Sequence, residues 1–270
     1  MFFCWGVRDD LVPFRALHKL YGQIIAVVIF SFSSIQIGSF YGLFGIETIW
    51  TPLAYIITGF TIIVITNSFN LIDGLDGLAG SISLIALIAF GVWFFMADDY
   101  VFALLSFCMT GGLLAFMVFN WEPSEIFMGD TGAMVIGMLL AVLAIRFLNI
   151  NDTLPVDSAL KYKAPIAGAI SFLIIPIADT IRIIILRVSR GQSPFTPDKS
   201  HIHHAIMRLG MTHSQTAIIL ATVNVLFLAV VFAFRDYPDG YVILCVAVFG
   251  AAMSFVLDRL ITRKVQAKAS

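Results

Sequence analysis

Eight apolar runs, each long enough to cross about 30 Å of hydrocarbon as a helix, lie near residues 22–42, 50–66, 79–97, 99–119, 132–148, 165–186, 215–234 and 240–257. A backbone in hydrocarbon has to satisfy its own N–H and C=O groups, so runs of this length are expected to fold as membrane-crossing helices. Composition agrees. Of 270 residues, 60% are hydrophobic and 12% charged, and the mean hydropathy is +0.96, outside the range of soluble globular chains. The expected fold class is all-α: a polytopic helical integral membrane protein with about eight transmembrane helices, forming one domain over residues 1–270 and in contact with a lipid bilayer throughout. Met1 to Gly6 is too short for a signal peptide and has no cleavage site.

An even number of spans returns both termini to one side. That side receives residues 1–21, 67–78, 120–131, 187–214 and 258–270, with Arg8, Arg15, Lys19, Arg187, Arg190, Lys199, Arg208, Arg259, Arg263, Lys264 and Lys268. The opposite side holds Lys161, Lys163 and Arg235, with Arg146 near a helix end. Lys and Arg favour cytoplasmic loops, so the first side is read as cytoplasmic. The net charge is −1 and the basic residues form no nucleic-acid footprint, which excludes a nucleic-acid partner from the reading. Cys4, Cys108 and Cys245 lie in apolar stretches without metal-ligand spacing and read as packing residues.

Nearly every unusual polar cluster falls on the cytoplasmic side. The clearest is Asn67-Ser-Phe-Asn70-Leu-Ile-Asp73-Gly74-Leu-Asp76-Gly77-Leu-Ala-Gly80. An ionised aspartate at the centre of a membrane helix costs about 3 kcal/mol, so two between apolar runs need a use. Polar residues recur at 67, 70, 73 and 76 and glycines at 74, 77 and 80, forming parallel stripes along one helical segment. Asn70, Asp73 and Asp76 offer hard oxygens suited to Mg²⁺ or to the hydrogen bonds of a nucleobase.

Three further clusters share that side. Asp9 and Asp10 are adjacent carboxylates, followed by Arg15, Lys19 and Gln23; such pairs share a cation or a basic partner, or form a solvated helix terminus. Asn120-Trp-Glu-Pro leads to Phe127-Met-Gly-Asp130-Thr-Gly132 just before a span, where Asp130 suits either a helix cap or a metal site. Ser193-Pro-Phe-Thr-Pro-Asp-Lys199-Ser-His201-Ile-His203-His204 carries three histidines without the companion ligands of a zinc site. Together with Lys199 and Arg190, those histidines suit phosphate oxygens. Asp179 and Arg182, three apart, read as an ion pair on one helix face, with a catalytic role the alternative. His18 and His213 read as surface histidines.

Acidic oxygens for a divalent cation, aromatic and amide groups for a base, and basic groups for phosphates describe metal-assisted phosphoryl transfer from a nucleotide. The membrane setting makes a lipid the second substrate. The competing class is a transporter, which would place its acids near mid-membrane with access from both faces.

The strings NSFNLIDGLDGLAG, NWEPSEIFMGDTGA and SPFTPDKSHIHH, with the Asp9-Asp10 pair, resemble the polyprenyl-phosphate N-acetylhexosamine-1-phosphate transferases across essentially the whole chain. The HIHH signature is similar to that of the branch acting on undecaprenyl phosphate and UDP-GlcNAc, which begins O-antigen and enterobacterial common antigen synthesis at the bacterial inner membrane. The resemblance implies transfer of GlcNAc-1-phosphate to undecaprenyl phosphate with release of UMP, and a requirement for Mg²⁺ or Mn²⁺. It implies Asn70 and Asp130 as metal ligands and Asp9, Asp10 and Asp73 as catalytic residues, with Asp9 or Asp10 deprotonating or positioning the lipid phosphate as nucleophile. Asp76, Asn120 and Phe127 would hold or stack on uracil, and Lys199, His201, His203 and His204 would meet the pyrophosphate. Another UDP-N-acetylhexosamine, an inactive fragment and a homodimer are left open. Family members carry two more spans before the Asp-Asp loop, so two N-terminal spans are expected to be lacking here. Ala133 and Ala205 stand where serine and arginine are usual.

Overall fold

The computed structural model describes residues 1–12, 16–193 and 201–269. Eleven α-helices account for the regular structure among them apart from a 3₁₀ turn at Leu43–Gly45. They are α1 (Phe2–Leu11), α2 (Ala16–Phe30), α3 (Thr51–Ile72), α4 (Leu78–Met96), α5 (Tyr100–Asn120), α6 (Gly129–Thr153), α7 (Pro165–Phe172), α8 (Ile174–Ser189), α9 (Ile202–Arg208), α10 (His213–Ala233) and α11 (Asp239–Ala269). The all-α polytopic expectation holds.

The span count differs from the expected eight. Among the described residues, six helices are long and apolar enough to cross a membrane, or seven if α7 and α8 form one broken span. The first expected span, 22–42, yields only the helix ending at Phe30, because Ser31, Ser33 and Ser34 follow and the chain leaves helical geometry there. α7 and α8 meet at an 89° bend. Pro176 explains it: proline has no N–H to donate and its ring clashes with the carbonyl four residues back, at Phe172, where α7 ends. The bent pair still changes sides. Its start lies by the Arg235 carbonyl, which accepts from Lys163 and Ala164 N–H, whereas α9 beyond it sets His203 against Gly74, after the end of α3.

α4 and α6, the most buried of the long apolar helices, form the centre, and α11, the least buried, lies at the periphery. Close approach comes from glycine. A Cβ on Gly137 of α6 would lie 2.8 Å from Thr66 Cα on α3, and one on Gly6 of α1 would collide with Thr131 Cα. Away from the polar clusters, Phe90, Trp93, Phe147 and Phe172 pack as an aromatic plug, with the Phe90 and Phe172 rings 4.1 Å apart and those of Trp93 and Phe147 4.5 Å apart. Arg146 pairs with Asp99 at 2.8 Å at this end. The three cysteines do not pack in the core as expected; all are free and exposed on the outer faces of their helices.

Candidate active site

The segments 67–78 and 120–131 and the start of α10 meet at one end of the bundle, as the alternation of spans requires. Asn120 ties the first two together and braces the second. Asn120 Oδ1 accepts from Gly77 N–H at 3.1 Å, and Asn120 Nδ2 donates to the Ile126 carbonyl at 2.9 Å. Asn120 is buried. Gly77 turns the chain with φ +72°, and a Cβ there would lie 2.8 Å from the Trp121 ring, so backbone conformation and space both demand glycine. Glu122 accepts from Ser214 N–H at 2.7 Å, and His213 Nδ1 lies 3.0 Å from Asp76 Oδ2, so both draw α10 onto the same platform.

Beside this platform four helices bring their polar ends together. Asp9 of α1 is buried and lies 2.5 Å from Lys19 Nζ of α2. Lys19 also donates to Asp130 Oδ2 at 2.9 Å, and the other oxygen of Asp130 accepts from Asn70 Nδ2 of α3. Asp10 accepts from the backbone N–H groups of Asp130 at 2.8 Å and Thr131 at 3.1 Å, and from the Thr131 hydroxyl. The cap expected of Asp130 is therefore supplied from another helix by Asp10, and the Asp130 carboxylate is left to face Lys19 and Asn70. One turn along α2 from Lys19, buried Gln23 exchanges two amide hydrogen bonds with Asn67, at 2.8 and 3.2 Å, locking α2 against α3.

Asp73 follows α3 directly. Burial, reinforced by the carboxylates of Asp130 and Asp10, pushes its pKa up to about 7. Phe127, two residues before α6, is 76% exposed. Ala133 is buried in α6.

The histidines form a stack on α9 and its N-cap. His201 and His203 have ring centroids 5.6 Å apart, and those of His203 and His204 are 4.3 Å apart. His201 Nδ1 lies 2.8 Å from Asp179 Oδ2, whose other oxygen accepts from Ile202 N–H at 2.8 Å. Asp179 thus orients His201 and caps α9, a role not foreseen in its expected pairing with Arg182, while Arg182 Nε donates to Ser254 at 2.8 Å. His203 is buried below Gly74, and burial, then the neighbouring His204, lowers its pKa to about 4. Lys199 lies outside the described residues.

Among the described residues, no three His, Cys, Asp or Glu side chains stand together as a metal cage. Asp130 and Asn70 still suit Mg²⁺, which characteristically takes one or two carboxylates and completes its shell with water and substrate phosphates. A cationic group, Lys19, already rests on Asp130 Oδ2. Asn70 would present its oxygen after an amide flip, a change that needs no backbone movement.

Helices crossing a bilayer, with carboxylates, amides and histidines gathered at one end, define an integral membrane protein carrying a polar site near one surface. Residues 1–148 match the family model for Glycosyl transferase family 4, and the chain belongs to that family. Among curated relatives, the undecaprenyl-phosphate alpha-N-acetylglucosaminyl 1-phosphate transferase of Salmonella typhi is 31% identical over 86% of this chain and 62% of its own length. The proteins of that name from Yersinia pestis and Escherichia coli K12 are each 30% identical, over 84% and 79% of this chain and 61% and 57% of theirs. The chain thus spans about three fifths of the relatives it matches.

Proposed function

We propose that this chain carries the active face of a transferase that moves GlcNAc-1-phosphate from UDP-GlcNAc to undecaprenyl phosphate, releasing UMP, at the cytoplasmic face of a bacterial inner membrane. The observation that carries the reading is the convergence of Asp9, Asp10, Asn70 and Asp130 from α1, α3 and α6 on Lys19 and on one another. The names of the relatives and the gathering of acids at one end of the bundle support it. A pathway through the membrane would instead string polar groups along its depth.

Mg²⁺ or Mn²⁺ held by Asp130 and Asn70 would neutralise charge on the diphosphate and let a second anion approach. The chain's own groups do the rest. Asp10 anchors the first turn of α6 and so fixes Asp130. Asp73, ionising near neutrality, accepts the proton of the lipid phosphate, whose oxygen then attacks the sugar-bearing phosphorus as the bridging bond to UMP breaks. Asp9 holds Lys19 in place. Asp76 and exposed Phe127 receive the uracil, Asn120 holds the two loops that carry them, and His204 with Lys199 meets the pyrophosphate. His201 and His203, buried as they are, set the position of α9.

The test is Asp130→Ala in purified protein. Loss of transfer with intact folding is expected; retained metal-stimulated transfer would refute the assignment.

A further inference from the structure

Lys19 stands at the middle of the acidic site although no part of the transfer just described consumes its charge. Its ammonium lies 2.5 Å from Asp9 Oδ2 and 2.9 Å from Asp130 Oδ2. The Lys19 side chain is 25% exposed and that of Asp9 1%, so water screens this contact only partly. The placement is built rather than incidental. Gln23, one turn further along α2, is buried and bonded twice to Asn67, and Asn67 lies one turn before Asn70 on α3. The face of α2 carrying Lys19 is thereby docked on the face of α3 carrying Asn70, and both reach the same Asp130 carboxylate.

We infer that Lys19 is a resident counter-cation that competes with the divalent metal for Asp130 and sets the metal affinity of the site. The inference rests on the metal reading of Asp130 and Asn70 given above. The ammonium bridges Asp9 and Asp130 and offsets the repulsion between the two carboxylates of α1 and α6. A divalent cation approaching Asp130 Oδ2 meets that positive charge at hydrogen-bonding distance. Binding therefore requires Lys19 to release Asp130, which four flexible side-chain bonds permit, while its contact with Asp9 can persist. The site is left with lower affinity for the metal alone and gains affinity when diphosphate oxygens complete the shell.

The test is Mn²⁺ binding to the full 270-residue chain in detergent, followed by electron paramagnetic resonance of free Mn²⁺, without substrate. Lys19→Gln keeps the length of the side chain and removes the charge; it is expected to bind Mn²⁺ at least tenfold more tightly than the wild type, whereas Lys19→Arg is expected to stay within a few-fold of it. Equal or weaker binding by Lys19→Gln, with wild-type binding intact, overturns the competition and leaves the metal site standing. Binding by neither protein overturns both readings. Should Lys19→Gln fail to fold, the Lys19→Gln/Asp9→Asn pair is compared with Asp9→Asn alone. Tighter binding by the pair supports the inference, and equal binding overturns it.

Discussion

Asp10, near the end of α1, accepts the backbone N–H of Asp130 at 2.8 Å and so caps α6 from across the bundle. The same device recurs. Glu122 accepts from Ser214 in the first turn of α10, Asp179 from Ile202 at the start of α9, and Asp239 from Ile166 and Ala167 at the start of α7. Helix N-termini expose unsatisfied N–H groups and positive potential, and a carboxylate from a neighbouring helix, or in the case of Glu122 from the loop after α5, answers both while fixing how the elements meet.

Asp10→Ala removes three hydrogen bonds from the first turn of α6. The expected loss is about 1–2 kcal/mol of stability, measured as a lower melting temperature in detergent. Transfer by the folded fraction should fall as well, since Asp130 loses its anchor. Unchanged melting would contradict the cross-bundle cap.

Asp239→Ala provides the distant counterpart. Asp239 is buried and accepts at 3.2 and 2.8 Å from the first turn of α7, away from the acidic site. Stability should drop by about 2 kcal/mol through two N–H groups left unpaired, with transfer per folded molecule preserved. A selective loss of turnover at unchanged melting temperature would show that this end of the bundle takes part in catalysis.

Gly77→Ala should be among the most damaging single-methyl changes. The residue sits at φ +72° and its Cβ would lie 2.8 Å from Trp121, so strain of about 1–3 kcal/mol adds to the clash. Folding yield and melting temperature report it; wild-type values for both would contradict the described turn.

Asp73 gives the pH dependence. Its pKa is raised to about 7, so the carboxyl is protonated below that pH and ionised above it. If the ionised form accepts the proton of the lipid phosphate, the transfer rate rises through about pH 7 and levels off beyond. Asp73→Asn should lower the rate at least a hundredfold and abolish that limb. A limb that survives the substitution belongs to another group.

Much of this was legible in the sequence because a charge among apolar residues is conspicuous, and alternation of spans then assigns it a side. Asn70, Asp73, Asp76, Asn120 and Asp130 gather at one end on that ground alone. The partners were less visible. Asp10 and Asp130 are 120 positions apart, and no local pattern distinguishes a carboxylate that caps its own helix from one capped by another. His213 reads as a surface residue because its partner, Asp76, lies 137 positions away. Hydropathy averages over the break between α7 and α8, since Pro176 counts as mildly polar rather than as a missing donor. The 22–42 run fails as a span for a related reason: its serines cost little in an average but end the helix at Phe30.

The most direct measurement is transfer of radiolabelled GlcNAc-1-phosphate from UDP-GlcNAc to undecaprenyl phosphate by this chain, with Mg²⁺ and with chelator, alongside Asp130→Ala. The expected result is a lipid-linked product that forms only with Mg²⁺ and only when Asp130 is present. Product formed equally with chelator, or by folded Asp130→Ala, would contradict metal-assisted phosphoryl transfer at this cluster.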